Sequence, residues 1–154
     1  MDIELNLTTE TVEQTGLKDP LIVAPDVSIR DVFELLKTKK AGGLLVCEGD
    51  TLTGIFTERD ALRLMAKQAD LDRPISEVMT KSPATLAAGS SVAEAIKMMS
   101  GGGYRTLPII DEAGKPLGVM SVKSLIHYIV QHFPQSVYNL SPKPIPAMEQ
   151  REGA

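Results

Sequence analysis

Thr57 and Asp60 are the residues whose types and spacing most clearly indicate binding chemistry. They follow an apolar run, Gly54 to Phe56, and are expected at the N-terminus of a helix, where free N–H groups and the helix dipole attract anions. The two carboxylate oxygens of Asp60 are able to accept both hydroxyl protons of a cis-diol such as ribose, and the Thr57 hydroxyl is able to reach a phosphate. The same spacing is that of a helix capping box, which needs no ligand, so both interpretations stay open.

Three basic residues form a second group of candidates. Arg59 directly precedes Asp60, Lys123 directly precedes Ser124, and Arg105 precedes an apolar run. Basic side chains next to a ribose-binding carboxylate suit phosphate oxygens, and an arginine is able to donate two parallel hydrogen bonds to them. Each cation taken alone is equally typical of an ordinary solvated surface.

An internal repeat relates these residues to one another. The segment 19–62 recurs at 82–126, at an offset of roughly 63 residues, which is long enough for one supersecondary unit. Where the first copy has the threonine and the aspartate, the second copy has Ser121 and Ser124. A duplicated fold with one altered site predicts two clefts that are related by a pseudo-twofold axis and that bind a ligand with unequal strength.

The elements of each copy are predicted from helix starts and apolar runs. Ser28 with Asp31, and Ser91 with Glu94, have capping-box spacing before apolar residues at helical intervals. Each predicted helix follows a short extended piece and precedes two apolar runs joined by a turn, which indicates a hairpin. The predicted unit is β-α-β-β-α, and the fold class is α/β, more narrowly α+β. Two small sheets packed together, with helices outside, would share one core.

Composition limits the classes of function. A hydrophobic content of 43% suffices for a core, and a net charge of -4 argues against a nucleic-acid or membrane-surface partner. The single cysteine, Cys47, excludes an internal disulfide framework and favours a reducing cytoplasm. No apolar run has the length of a membrane span, and the polar N-terminus does not resemble a signal peptide.

Four segments are expected along the chain. Residues 1–17 are polar with weak periodicity and are predicted to be a mobile arm, with the first repeat at 18–74. A linker helix and the second repeat are predicted at 75–133. Residues 134–154 are rich in proline and are predicted to be an extended tail.

Residues suited to catalysis or to metal binding are not predicted. His127 and His132 are too far apart in sequence to share a helix face as metal ligands, and no Cys-x-x-Cys motif or nucleophile elbow occurs. The run from Gly101 to Gly103 lacks the Lys-Ser/Thr ending of a phosphate loop, so a helix end is the better interpretation. The sequence therefore predicts a protein that is not an enzyme and that requires no cofactor.

The chain resembles the tandem CBS domain, or Bateman module, over about residues 18–133. Four segments carry the resemblance: Gly54–Asp60, Gly118–Ser124, Ile75–Thr80 and Tyr104–Asp111. The resemblance implies two β-α-β-β-α repeats with clefts between them. It also implies binding of adenosine nucleotides and regulation of an attached or partner protein.

The resemblance implies a role for each candidate residue of the main cleft. Asp60 matches the ribose-binding aspartate of the family, and Thr57 matches the adjacent hydroxyl. Arg105 and Lys123, from the opposite repeat, match phosphate contacts. Three further residues fall where the family contacts the base: Ile22, Val23 and Ile55.

The second cleft departs from the family pattern. Thr85 matches a threonine that contacts the base, but Ser124, next to Ser121 in the motif, replaces the aspartate. Ala41 and Gly42 stand where the other repeat has an aromatic residue and an arginine, which removes a phosphate contact. The second cleft is therefore expected to bind more weakly.

Two functions follow as hypotheses. The first is a sensor of an adenosine-containing ligand that modulates an unidentified effector protein or its own assembly. AMP, ADP and ATP are the favoured ligands, and S-adenosylmethionine and NADH stay open as alternatives. The second is a ligand-free scaffold for dimerisation or interaction, in which Thr57 and Asp60 serve only as helix caps. Under either hypothesis a homodimer is predicted, because the last helix carries more apolar residues than a small sheet covers. These are Val122, Leu125, Ile126, Ile129 and Val130, flanked by Tyr128 and Phe133.

Overall fold

Two β-α-β-β-α units follow one another in the computed structural model, which describes residues 8–132. The first unit comprises β1 (Ile22–Val23), α1 (Ile29–Lys39), β2 (Gly43–Glu48), β3 (Thr51–Thr57) and α2 (Glu58–Ala66). The connection to the second unit contains a 3-10 helix (Ile75–Glu77) and β4 (Thr80–Lys81). The second unit comprises β5 (Leu86–Ala87), α3 (Val92–Gly102), β6 (Thr106–Ile110), β7 (Pro116–Ser121) and α4 (Val122–His132). The predicted fold class and the duplicated element order are confirmed.

The strands form two sheets with matching topology. The first has the order β1-β2-β3-β4 and the second the order β5-β6-β7. In each sheet the first strand is parallel to the second, and the second and third strands form an antiparallel hairpin. Parallel neighbours require a crossover connection, which α1 and α3 supply.

Local hydrogen bonds set the start of the crossover helices. The Ser28 hydroxyl accepts a hydrogen bond of 3.1 Å from the Asp31 N–H, and the Ser91 hydroxyl accepts one of 3.1 Å from the Glu94 N–H. These bonds satisfy backbone donors that have no partner inside the helix. The helix starts predicted from the two serines are confirmed.

Most of the buried hydrophobic residues fall into two clusters. The first cluster comprises Val23, Ile29, Val32, Leu44, Val46, Phe56 and Ile75. The second comprises Val12, Leu86, Val92, Ala95, Met99, Leu107, Ile109, Met120, Leu125 and Tyr128. Each cluster joins the helices of one repeat to one face of its sheet. Side chains alternate along a strand, and Leu45 and Cys47, on the opposite face of β2, are buried as well.

The segment that precedes each repeat packs against the other repeat. Val12, in a 3-10 helix (Val12–Thr15), belongs to the second cluster, whereas Ile75 belongs to the first. The Val12 N–H donates to the Ser90 carbonyl at 2.8 Å, and the Ile75 N–H donates to the Val27 carbonyl at 2.7 Å.

The prediction of a mobile arm is therefore wrong for the part of the arm that the structure describes. An apolar side chain that is 0% exposed and paired backbone groups anchor it to the second repeat. The predicted tail at 134–154, and Phe133, lie outside the described residues. Within residues 8–132, no helix is both long enough and apolar enough to span a membrane.

Candidate functional site

Thr57 and Asp60 form a capping box at the N-terminus of α2. The Thr57 N–H donates to Oδ2 of Asp60 at 3.0 Å, and the Thr57 hydroxyl lies 3.2 Å from the same oxygen. The other oxygen, Oδ1, lies 4.0 Å from Nη1 of Arg63, and the Asp60 side chain is 12% exposed. The capping interpretation is thus realised through Oδ2, while Oδ1 retains acceptor capacity towards solvent or a ligand.

The equivalent serines of the second repeat are occupied by local hydrogen bonds. The Ser121 N–H donates to Oγ of Ser124 at 3.0 Å, and the Ser124 N–H donates to Oγ of Ser121 at 3.0 Å. The Ser124 hydroxyl donates its only proton to the Ser121 carbonyl at 2.9 Å. This site has no charge and little spare acceptor capacity, which is the physical difference from Asp60.

Asp60 lines a groove, here called the Asp60 cleft, between α2 and the segment that leads into β4. Its volume is about 590 Å³. The lining residues are Asp60, Arg63, Leu64, Lys67, Ala69, Arg73, Glu77, Val78, Met79 and Thr80. Both carboxylates of the cleft face arginines: Arg63 lies 4.0 Å from Asp60, and Arg73 lies 3.2 Å from Glu77. The positive charge of these two arginines is therefore largely balanced.

A second groove, here called the basic cleft, joins both repeats and has a volume of about 800 Å³. Its lining residues are Arg59, Met99, Gly103, Tyr104, Arg105, Ser121, Val122, Lys123 and Ile126. All three cations selected from the sequence line this cleft, and all three are exposed. Among residues 8–132, none of the three forms an ion pair. The cleft therefore presents uncompensated positive charge.

The residues predicted for one nucleotide line two clefts. Asp60 lines one cleft, whereas Arg105 and Lys123 line the other. The two clefts flank the N-terminus of α2, because Arg59 and Asp60 are consecutive and line one each. Consecutive residues of an α-helix point about 100° apart, so neighbours in sequence reach different grooves.

The residues predicted to contact a base occupy different environments. Ile22 is 46% exposed on β1, whereas Val23 is buried in the first core cluster. Ile55 is buried and lies opposite Thr80 in the β3–β4 pair, which places it next to the Asp60 cleft. Thr85 is half-buried directly before β5. Of these four residues, Ile55 is the one whose strand partner, Thr80, lines a cleft.

Several residues that line the clefts were not predicted from the sequence. Arg63 and Lys67 follow Asp60 by three and seven residues, so helical spacing already placed them on the same face as Asp60, with Lys67 directly after the end of α2. Arg73 and Glu77 come from the connection between the repeats, and no local pattern indicates that this segment returns to α2. No group of three or more His, Cys, Asp or Glu side chains within residues 8–132 is placed to hold a metal ion.

Comparison with family models identifies both repeats. The model described as CBS domain matches residues 14–67 and 75–131. An uncharacterised 17.7 kDa protein from Acidianus ambivalens is 32% identical over 115 residues, covering 74% of this chain and 70% of that protein. Arabinose 5-phosphate isomerase KdsD from Francisella tularensis is 33% identical over 124 residues, covering 80% of this chain but 38% of the enzyme. The chain thus spans well under half of that enzyme.

A solved structure supports the same assignment. The crystal structure of CBSX2 in complex with AMP is similar with a TM-score of 0.70 and 25% sequence identity. The similarity covers 79% of this chain and 97% of that chain. The two chains therefore share the fold over nearly the full length of the solved one.

Proposed function

This chain belongs to the CBS domain family, and we propose that it is a regulatory module that binds an adenosine-containing nucleotide, with AMP, ADP and ATP as the candidates. The observation that carries the proposal is the meeting of Arg59, Arg105 and Lys123 in one cleft without an acidic partner among residues 8–132. Like charges in proximity repel one another, and a bound anion removes that repulsion. The cluster occurs in a chain whose net charge is -4, so a general excess of basic residues does not account for it.

The ribose is assigned to Asp60. Its Oδ1 is not used by the capping box and is free to accept a hydroxyl proton, while Oδ2 holds the N-terminus of α2. AMP is the ligand of a relative that is 25% identical to this chain, which supports an adenosine ligand. Ile55, next to the Asp60 cleft through its partner strand, is the best placed of the predicted base contacts.

The phosphate is assigned to Arg105 and Lys123 in the basic cleft. Arg105 directly precedes β6 and Lys123 lies in the first turn of α4, so both come from the second repeat. Because Arg59 and Asp60 are consecutive, a nucleotide held by its ribose at Asp60 has the basic cleft on the neighbouring side of α2. The second site predicted from Thr85, Ser121 and Ser124 is assigned a lower affinity for a ribose, because its serines bond to each other. Ser121 also lines the basic cleft, so this second site borders the phosphate site.

The regulatory output is assigned to a change in assembly or in contact with an effector protein. Leu62 and Ile126 occupy equivalent positions in α2 and α4 and are 68% and 56% exposed, and Met65 is 64% exposed. Exposed apolar side chains on neighbouring helices favour a closed homodimer through these helices. A nucleotide would shift the pairing only if it binds two arrangements with different affinity. The single buried thiol, Cys47, fits a reducing compartment such as the cytoplasm.

The ligand-free scaffold remains the second candidate, and one observation favours it. The capping box of Thr57 and Asp60 is complete without a ligand, so both residue types have a structural role already. If the chain is a scaffold, the exposed apolar residues of α2 and α4 form its interaction surface. The two functions differ in whether adenosine compounds bind at all.

Isothermal titration calorimetry with adenosine, AMP and ATP tests the proposal. We expect AMP to bind more tightly than adenosine, and its affinity to fall as salt rises. Arg105→Gln is expected to remove most of the difference between AMP and adenosine. Arg30→Gln is the matched control, because Arg30 is exposed and pairs with Asp72 outside both clefts. If adenosine and AMP bind equally, Arg105 is an ordinary surface cation, and if neither binds, the scaffold is the correct function.

A further inference from the structure

The basic cleft draws its cations from two repeats, and this division has a consequence for the ligand. Arg59 lies on α2 of the first repeat, whereas Arg105 and Lys123 lie at the starts of β6 and α4 in the second. We propose, on the basis of the function proposed above, that the cleft selects a nucleoside di- or triphosphate over a monophosphate. Arg59 contacts the outer phosphates, and the phosphate chain links the two repeats.

The number of unpaired charges supports this selection. A phosphate monoester carries about 1.5 to 2 negative charges at neutral pH. Two cations, Arg105 and Lys123, therefore balance one phosphate group, and Arg59 remains without an acidic partner among residues 8–132. Each further phosphate adds negative charge and acceptor oxygens, to which a guanidinium donates two parallel hydrogen bonds. A ligand with two or three phosphates satisfies all three cations.

The equivalent position of the first repeat shows that the Arg105 charge is not a general feature of the fold. Gly42 takes the place of Arg105, and Glu58 takes the place of Val122. A Cβ at Gly42 would lie 3.5 Å from Oε1 of Glu58, so a carboxylate borders that position. At this position the first repeat has a carboxylate where the second repeat has an arginine, although Arg59 and Lys40 stand in the first repeat where Lys123 and Gly103 stand in the second. The arginine is therefore specific to the second repeat.

Size and shape also fit an extended anion. The volume of about 800 Å³ lies within the usual range for small-molecule sites. Tyr104 forms one wall, is 43% exposed, and packs its ring directly over Gly102. A side chain at Gly102 would meet the ring, so the absence of a side chain there leaves room for Tyr104 in this position. A preformed wall lowers the entropy lost on binding.

The test compares ligands that differ only in phosphate number. Calorimetric titration with AMP, ADP and ATP, in magnesium-free buffer of constant ionic strength, measures the preference of the wild-type chain. Inorganic tripolyphosphate is the fourth ligand and reports on the cleft without adenosine. We expect ATP to bind about tenfold more tightly than AMP, a modest ratio because all three cations are exposed.

Arg59→Gln isolates the proposed contact, and Arg30→Gln is its control. We expect Arg59→Gln to weaken ATP and tripolyphosphate about tenfold while changing AMP less than about threefold. Arg30→Gln should leave the affinities for all four ligands unchanged. Thermal unfolding without ligand verifies that both variants fold, as is expected for exposed side chains.

Two results separate this inference from the function on which it rests. If the three nucleotides bind with equal affinity, or if Arg59→Gln weakens AMP and ATP alike, the polyphosphate selection is wrong and nucleotide binding stands. If no adenosine compound binds, both proposals are overturned together.

Discussion

Replacing Asp60 separates the two roles that this residue has in the structure and in the proposed function. Asp60→Ala removes the Oδ2 acceptor of the Thr57 N–H and the Oδ1 acceptor assigned to the ribose. Loss of a cap costs about 1 kcal/mol of stability. Loss of hydrogen bonds to a charged acceptor costs about 1.5–3 kcal/mol, which corresponds to roughly 10- to 150-fold in affinity. Because Asp60 is largely buried, solvent screening reduces this estimate little.

Two further variants distinguish these effects. Asp60→Asn keeps a carbonyl oxygen for the cap but loses the charge, so its stability should change less than its affinity. Ser28→Ala removes the cap of α1, a hydrogen bond of 3.1 Å, and Ser28 lines neither cleft. It should therefore lose about 1 kcal/mol of stability without a change in nucleotide affinity.

The assays are urea unfolding for stability and calorimetry for AMP and ATP affinity. The reasoning is refuted if Asp60→Ala loses stability as Ser28→Ala does yet binds nucleotide as the wild-type chain does. Asp60 would then be a helix cap only, and the scaffold function would gain support.

Three further outcomes are expected. Static light scattering of the wild-type chain should give twice 16.6 kDa, and Ile126→Glu should lower the mass towards the monomer; a wild-type monomer at micromolar concentration would rule out the dimer. Gly118→Ala should cost about 1–3 kcal/mol of unfolding free energy, because the new Cβ would lie 2.7 Å from Cβ of Leu17. Gly54→Ala should cost less, because it meets the flexible end of Met79, and equal losses would contradict the packing. Burial, with a smaller effect of Asp50, raises the pKa of Cys47 above the usual value for a thiol. The protonated thiol is then favoured in the folded state, so the free energy of unfolding should fall as pH rises past about 9. Alkylation of Cys47 in the folded protein at pH 8 should be slow, and fast alkylation would contradict its burial.

Local sequence patterns predicted those features of the fold that depend on interactions between residues close in sequence. Ser28 and Ser91 were identified as helix starts because a capping hydrogen bond joins residues three apart. The packing of Val12 against the second repeat and of Ile75 against the first was not predicted, because those contacts join segments distant in sequence. The repeat offset of roughly 63 residues nevertheless relates Val12 to Ile75 and Lys18 to Lys81. Extending the repeat towards the N-terminus would have revealed the anchored segment.

The sequence predicted which residues belong to the site but not how they are divided between the two clefts. The three cations were selected from their positions next to repeat motifs, and the structure brings them into one cleft. Their separation from Asp60 was not predicted, because Arg59 and Asp60 were assigned to one site as sequence neighbours, whereas consecutive residues of an α-helix point about 100° apart. Arg63 was not predicted although its spacing from Asp60 is helical, because a single arginine on a helix is equally typical of a solvated surface.

Nucleotide titration of the wild-type chain tests the central claim most directly. Calorimetry with AMP, ADP and ATP should give one strong site per chain. Ligand at 100 times its dissociation constant should add about 2.7 kcal/mol to the unfolding free energy, or about 5–10 °C in Tm for a chain of this size. No heat of binding and no change in Tm with any of the three nucleotides would contradict the account.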